Sequence, residues 1–214
     1  MSTIGPLPAD RANKERGQGL VEFAMIVPVI LLLLAGAVEI AFVANDTLTL
    51  GYSAREGARA GSALGSGIAE NCLDGQDPSG VDDTVIASVQ RILKSPGSAI
   101  AISDVQEIRI FKASGTGAKI EDSINVWRFT GPASGPDIEP GEGVNRLDFS
   151  PASTPWPACK RSYSASDPDS LGVEVVYLRR LDSPIAALLR AVGGTDAATV
   201  TLSEKTVMAL NPSY

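Results

Sequence analysis

Gly17 and Glu22 are the residues whose types and spacing suggest chemistry, in this case chemistry on the chain itself. They lie at the entrance of a long apolar stretch, residues 16–44. Cleavage after Gly17 would create a new ammonium on Gln18, and Glu22 would become the fifth residue, followed by the apolar Phe23. Within a helix the ammonium and the carboxylate would be one turn apart, and Glu22 would also be able to pair with a neighbouring subunit. Either pairing lowers the cost of carrying a carboxylate into an apolar helix bundle.

The composition excludes most enzymatic chemistry. The chain contains no histidine, which excludes Ser-His-Asp and Cys-His catalysis, His-ligated zinc and the commonest general base. The acids of the loop before residue 84 do not have the spacing of an EF-hand, and a solvated loop explains them. We therefore expect a protein without enzymatic activity, without a cofactor and without a bound metal.

The apolar stretch predicts a helix that crosses a membrane. Sixteen residues from Phe23 to Val38 carry no charge. Extension to Ala44, with Glu39 as the one interruption, gives about 33 Å of helix against a hydrocarbon core of about 30 Å. Glu22 and Glu39 then fall near opposite membrane faces, where a carboxylate costs less than at the bilayer centre.

The flanking cations predict the orientation of this helix. Arg11, Lys14 and Arg16 come just before the stretch, whereas the next cation after it is Arg55. Because cytoplasmic flanks carry the excess of Lys and Arg, the N-terminus is expected in the cytoplasm and residues 45–214 outside.

Three interpretations of the stretch stay open on the residues alone. It is a plain single-pass anchor, a secretory signal with an A-x-A-like site at residues 35–37, or a helix that is processed after Gly17 and then packs into a polymer. The helical pattern continues past Ala37 without a break, which argues against the secretory signal.

The helix is expected to continue beyond the membrane to about residue 63. Residues 45–63 contain no proline and keep small or apolar residues at helical spacing. Gly57 and Gly61 form a G-x-x-x-G pair, which lets helices pack closely, although Gly and Ala are simply common in this segment. Arg55 and Arg59 lie four residues apart, where they would anchor the helix just outside the membrane or pair with acids of neighbouring subunits; the alternative is a solvated face.

A family resemblance rests on three segments of this helix. They are G-Q-G-L-V-E-F-A-M-I-V-P at 17–28, the acid Glu39, and S-A-R-E-G-A-R at 53–59. Together they resemble the TadE-like family, the minor pseudopilins of the tight-adherence (Tad/Flp) pilus machinery. V-E-V-V-Y at 173–177 and V-M-A-L-N-P at 207–212 add weaker support.

The resemblance implies a type IV pilin-like fold and a defined processing route. A prepilin peptidase would remove residues 1–17 as a cytoplasmic leader and leave a long N-terminal helix at 18–63, with its membrane part at about 22–44. The implied location is the cytoplasmic (inner) membrane, with possible later incorporation into an extracellular pilus. The implied partners are that peptidase, other pilins and pseudopilins, the pilus assembly platform and the lipid bilayer. The competing interpretation is a single-pass, membrane-anchored exported binding domain unrelated to pili.

Residues 64–214 are expected to form one exported α+β domain with a mainly antiparallel sheet of about four strands. The predicted elements are a helix at 81–94, strands at 105–113 and 123–131, a strand at 171–180, a helix at 183–193 and a strand at 198–210. Residues 130–170 are rich in Gly, Pro, Ser and Asp and predict a long irregular segment. Trp156, between two prolines, is either an exposed contact or a cover for the sheet.

Cys72 and Cys159 are the two cysteines, and both fall outside the membrane on the predicted orientation. An exported compartment is oxidising, so a disulfide between them is expected, worth about 4–5 kcal/mol on the chain-entropy model. The alternative is two small buried thiols.

The net charge argues against a nucleic-acid partner. It is −7 for the chain, and removal of residues 1–17, which carry three cations and two acids, leaves −8. Nucleic-acid binding needs a basic face, and an acidic outer domain is also not attracted electrostatically to an anionic membrane.

Overall fold

The computed structural model describes most of the chain. The described residues are 11–64, 80–138, 146–164, 166–181 and 183–210. Their architecture is α+β, with a long N-terminal helix, further helices and an antiparallel sheet, which confirms the predicted fold class. The helices are α1 (Arg11–Leu64), α2 (Val81–Leu93) and α3 (Pro184–Gly193). The strands are β1 (Val105–Ala113), β2 (Lys119–Phe129), β3 (Phe149–Ser153), β4 (Tyr163–Ser164), β5 (Asp167–Pro168), β6 (Ser170–Arg180) and β7 (Thr199–Ala209).

The chain divides into two compact units, with a boundary inside α1. Residues 1–42 and 181–198 form the first unit. Its described part contains the apolar portion of α1, then α3 and a short 3-10 helix, Thr195–Ala198. Ser183 caps α3 by accepting a hydrogen bond from the Ala186 amide at 3.3 Å, as the Ser-Pro start of this helix predicts.

The second unit, residues 43–180 and 199–214, is organised around a five-stranded sheet. The strand order is β3-β2-β1-β6-β7, and every neighbouring pair is antiparallel. The core also contains the outer half of α1 and α2. The buried positions of α1 follow one helical stripe: Asp46, Leu50, Ser53, Ala54, Gly57, Ala58 and Gly61.

Helix α2 buries the apolar stripe that its spacing predicts, including Val85, Ile86, Val89 and Leu93. Acids in its first turn complement the helix dipole. A turn follows α2, in which the Ser98 amide donates to the Ser95 carbonyl at 3.0 Å, and Gly97 within it has a φ of 92° that suits glycine.

Strands β1 and β2 form the predicted hairpin. Ile110 lies opposite Asn125, and the Ser114 amide closes the turn by donating to the Ala118 carbonyl at 2.8 Å. Gly117 takes a φ of 76°, which is the conformation that a glycine permits at this turn.

One strand of the main sheet lies inside the segment predicted to be irregular. β3 pairs with the edge of β2 through Phe149 opposite Phe129, and the two rings meet edge to face at 5.9 Å. The sequence around Phe149 lacks alternation, and Pro151 is tolerated because β3 is an edge strand. The sheet therefore has five strands where about four were predicted.

Candidate functional site

The predicted processing site lies on the first part of α1. Gln18 Nε2 donates a hydrogen bond to Glu22 Oε1 at 3.1 Å, one helical turn away, as their spacing predicts. Both side chains are exposed, and Phe23 is 67 % exposed. Gly17 lies within α1, so the peptide bond before Gln18 is part of the helix. The structure brings Gln18 and Glu22 together, and cleavage after Gly17 stays a prediction.

The surface of α1 that follows is apolar on all sides. Fourteen large apolar side chains between Leu20 and Phe42 have exposed fractions of 47 to 72 %. The helix from Gln18 to Leu64 is long and apolar enough to cross a membrane. A helix with apolar residues around its whole circumference needs an apolar environment on every side, which a bilayer or a bundle of similar helices supplies. This surface is consistent with membrane anchoring.

Gly57 and Gly61 lie where α1 packs against the second unit's own elements. A Cβ at Gly57 would lie 2.6 Å from Val89 Cγ2 on α2, and one at Gly61 would lie 3.1 Å from Leu171 Cδ1 on β6. The small residues therefore allow α1 to approach α2 and β6 closely. The predicted helix-packing face at Gly57 and Gly61 is occupied by this chain itself.

A buried ion pair joins α1 to the sheet at Asp46, about three helical turns before Gly57. Arg179 Nη1 on β6 lies 2.6 Å from Asp46 Oδ2, and the Asp46 side chain is 0 % exposed. Removing either charge would leave the other buried without its main partner. Sequence reasoning missed this pair, although Asp46 lies four residues before Leu50 and so on the helical stripe that becomes buried.

A second buried cluster ties the irregular segment to α2 and β2. Arg161 is fully buried and its Nη2 lies 2.6 Å from Asp82 Oδ1, while its guanidinium stands 4.6 Å from the Trp156 ring centroid. Asn125 Nδ2 donates to Asp82 Oδ2 at 2.7 Å and to the Trp156 carbonyl at 2.8 Å. Trp156, 4 % exposed, is thus a cover for the core and not an exposed contact.

Arg59 and Glu56 form an exposed ion pair on α1. Arg59 Nη2 lies 2.7 Å from Glu56 Oε1, and Arg91 of α2 also reaches Glu56, at 3.2 Å. The hydrogen bond from Arg59, together with the nearby charges, lowers the pKa of Glu56. One of the two predicted surface arginines thus pairs within its own chain, and Arg55 is exposed.

The face of the sheet opposite α1 carries a charged network. Glu174 on β6 accepts hydrogen bonds from Lys119 Nζ at 2.5 Å, Arg109 Nη1 at 3.0 Å and Ser203 Oγ at 3.0 Å. Burial alone raises the pKa of Glu174, but these partners outweigh burial, and the net pKa is lowered. Arg109 also binds Glu107; burial raises the pKa of Glu107, but hydrogen bonds from Arg128 and Arg109 outweigh burial, and the net pKa is lowered. These charges form pairs within the sheet.

Of the two cysteines, the structure describes Cys159 but not Cys72. Cys159 lies in a short 3-10 helix, Ala158–Lys160, and is disulfide-bonded. Cys72 lies outside the described residues. The bond at Cys159 is consistent with the predicted bridge, and the pairing with Cys72 stays a prediction.

Comparison with known proteins gives one match. Residues 17–59 match the family model described as TadE-like protein. No curated protein and no solved structure matches the chain. The match covers about a fifth of the sequence and ends just before Gly61, so it describes α1 and not the sheet. The segment that holds Gly17, Glu22 and the apolar surface, residues 17–59, is thus a TadE-like sequence.

Proposed function

We propose that the chain is a minor pseudopilin that takes part in the assembly of a Tad/Flp-type pilus. The observation that carries this proposal is the TadE-like match over residues 17–59, the helix that holds the candidate processing site. The exposed apolar surface of the same helix supports it, because this surface needs lipid or other helices as cover.

The proposed processing step is cleavage after Gly17 by a prepilin peptidase. It leaves an ammonium on Gln18 and keeps Glu22 one helical turn away. The existing contact of the two side chains at 3.1 Å supports this, because a carboxylate already lies beside the residue that would gain the charge. In an assembled bundle, Glu22 would pair with this ammonium or with that of a neighbouring subunit.

The proposed route carries α1 from one apolar environment to another. In the cytoplasmic membrane, lipid covers the side chains between Leu20 and Phe42. In the pilus, helices of other pilins and pseudopilins take the place of lipid. Since lipid tails and apolar side chains are similarly apolar, close packing and the pairing of Glu22 would decide the exchange.

The part of α1 beyond the membrane serves a different purpose in this proposal. Its small-residue face contacts α2 and β6 through Gly57 and Gly61, and Asp46 holds it to the sheet. Partner helices would therefore meet the membrane part, residues 22–44, while the domain at 64–214 faces outward. A domain of this size suits a minor subunit that starts assembly, occupies the tip or stabilises the base.

The N-terminal residue of protein from native membranes tests the proposal. We expect a mature chain that starts at Gln18, measured by Edman degradation or mass spectrometry. An intact Met1 would contradict processing and favour a membrane-anchored exported domain unrelated to pili. A start at Val38 would instead establish secretion. Loss of the pilus on deletion of the gene, restored by the wild-type chain, would separate a role in assembly from processing alone.

A further inference from the structure

The connection between β6 and β7 is longer than its place in the sheet requires. The two strands are adjacent and antiparallel, and their register continues to Arg180 opposite Thr199. Neighbouring antiparallel strands need about two to five linking residues, yet residues 181–198 intervene here. The Leu181 amide donates to the Ala198 carbonyl at 2.9 Å, so the first and last residues of the insertion are hydrogen-bonded to each other at the end of the β6–β7 pair. Helix α3 is thus an addition that the sheet does not need for closure.

This insertion is associated with the membrane part of α1 by two observations. Residues 181–198 belong to the same compact unit as residues 1–42, which include most of the apolar stretch. The strand that leads into the insertion ends near Arg179, which pairs with Asp46. Asp46 comes two residues after Ala44, where the predicted membrane helix leaves the bilayer. The insertion therefore begins two residues after Arg179, whose partner Asp46 follows the predicted membrane helix directly in sequence.

The chemistry of α3 suits a lipid surface better than water. Its sequence, P-I-A-A-L-L-R-A-V-G, has one charged residue in ten. Leu189 is 39 % exposed and Val192 is 84 % exposed, and residues three apart lie on the same side of a helix. The single charge is Arg190, whose Nη2 donates to the Leu181 carbonyl. The helix thus exposes Leu189 and Val192, while the guanidinium of Arg190 is held by the backbone at the start of the insertion.

We propose that α3 lies in the outer interface of the membrane, parallel to its surface, with Leu189 and Val192 in contact with lipid. A short helix of this kind buries its apolar side at the boundary between headgroups and acyl chains. It would give the exported domain a second attachment beside α1. The inference rests on α1 spanning the membrane, and it does not depend on a role in pilus assembly.

The test places an environment-sensitive NBD fluorophore at single engineered cysteines of the full chain. The protein is reconstituted into phosphatidylcholine–phosphatidylglycerol vesicles and labelled without reductant, so that the disulfide at Cys159 is kept. The informative position is Val192→Cys. Leu33→Cys, in the apolar stretch and 65 % exposed, reports on the span, and Asp122→Cys, exposed on β2, reports on the aqueous domain.

We expect the probe at 192 to emit at shorter wavelength than the probe at 122 and to be quenched by brominated lipid. Adding Leu189→Asp should shift the emission at 192 toward that at 122, whereas adding Leu189→Val should not. A probe at 192 that is as accessible to aqueous iodide as the probe at 122, while the probe at 33 is protected, would overturn the inference. Shielding at 192 without quenching by brominated lipid would also overturn it, because protein would then be the cover. An accessible probe at 33 would refute the span, and with it this role of α3, without bearing on the N-terminal residue that tests the pseudopilin proposal.

Discussion

Arg179 on β6 and Asp46 on α1 form an ion pair at 2.6 Å, with the Asp46 side chain completely buried. The two residues are 133 positions apart in the chain. Asp46 lies two residues beyond Ala44, the predicted end of the membrane part of α1. The pair therefore fixes the part of α1 beyond residue 44 to the central sheet.

Loss of one partner of this pair should destabilise the domain strongly. We expect Arg179→Met to lower the free energy of unfolding by about 3–5 kcal/mol, because Asp46 would remain buried without its counter-charge. The double variant Asp46→Leu/Arg179→Met should recover most of the loss. Denaturant titration in detergent micelles measures both. The matched control is Arg180→Ala, since Arg180 is 62 % exposed and pairs with Asp104 at 3.1 Å, which predicts a change of at most about 1 kcal/mol. Equal effects at positions 179 and 180 would contradict the importance of burial.

The close approach of α1 and α2 should make Gly57 sensitive to a single methyl group. A Cβ there would lie 2.6 Å from Val89 Cγ2, so we expect Gly57→Ala to cost about 1–3 kcal/mol by overpacking. Gly51→Ala is the control in the same helix, because a Cβ at Gly51 has no atom within 4 Å. That control should be neutral or stabilise the helix by about 0.5–1 kcal/mol. Thermal unfolding followed by circular dichroism distinguishes the two, and equal midpoints would refute the packing argument.

The cleavage site should depend on Gly17 and not on its neighbour glycine. We expect Gly17→Ala to leave full-length protein in membranes, because the peptidase implied by the family resemblance cuts after glycine. Gly19→Ala should mature normally, since a Cβ at Gly19 has no atom within 4 Å. The mass of the chain isolated from membranes reports the result. Normal maturation of the Gly17 variant would show that the site is wrongly assigned.

Glu22 should matter for assembly and not for folding or processing. Its side chain is exposed and contacts Gln18, so Glu22→Ala should leave the unfolding midpoint of the domain and the cleavage product unchanged. Pilus formation should fall, because the carboxylate that compensates the new ammonium is missing. Electron microscopy of pili, with an immunoblot for the processed chain, separates these effects. Pili in normal number on cells with Glu22→Ala would remove Glu22 from the mechanism.

Acid should weaken the sheet partly through Glu174. Although burial raises its pKa, hydrogen bonds from Lys119, Ser203 and Arg109 lower the net pKa in the folded state. The unfolded value is about 4.3, so the stabilisation is present above about pH 4.3 and is lost as the pH falls through the lower folded pKa. Urea titrations between pH 6 and pH 3 should therefore show a smaller pH dependence for Glu174→Gln than for the wild type. Glu121→Gln, at an exposed position of β2, is the control. Identical pH dependence in all three proteins would refute this contribution.

Much of the local structure follows from sequence patterns. Helix α1 ends at Leu64, close to the predicted residue 63, because helical spacing and the absence of proline from residues 45–63 are local signals. Helix α2 and the hairpin of β1 and β2 were predicted for the same reason. Strand β3 was missed, since five residues with Pro151 become a strand only beside the edge of β2.

The sequence by itself determined the apolar helix, its Gly17–Glu22 entrance and the order of the main elements, because those depend on residues close together in the chain. Only the tertiary structure decided which distant residues meet. The spacing of Gly57 and Gly61 predicts close packing but does not indicate what packs there. In the fold, the packing partners are α2 and β6 of the same chain. The fold likewise supplies Arg179 as the partner of Asp46, which the sequence around Asp46 does not indicate. Partner choice over such separations depends on how several faces pack at once, which local periodicity does not encode.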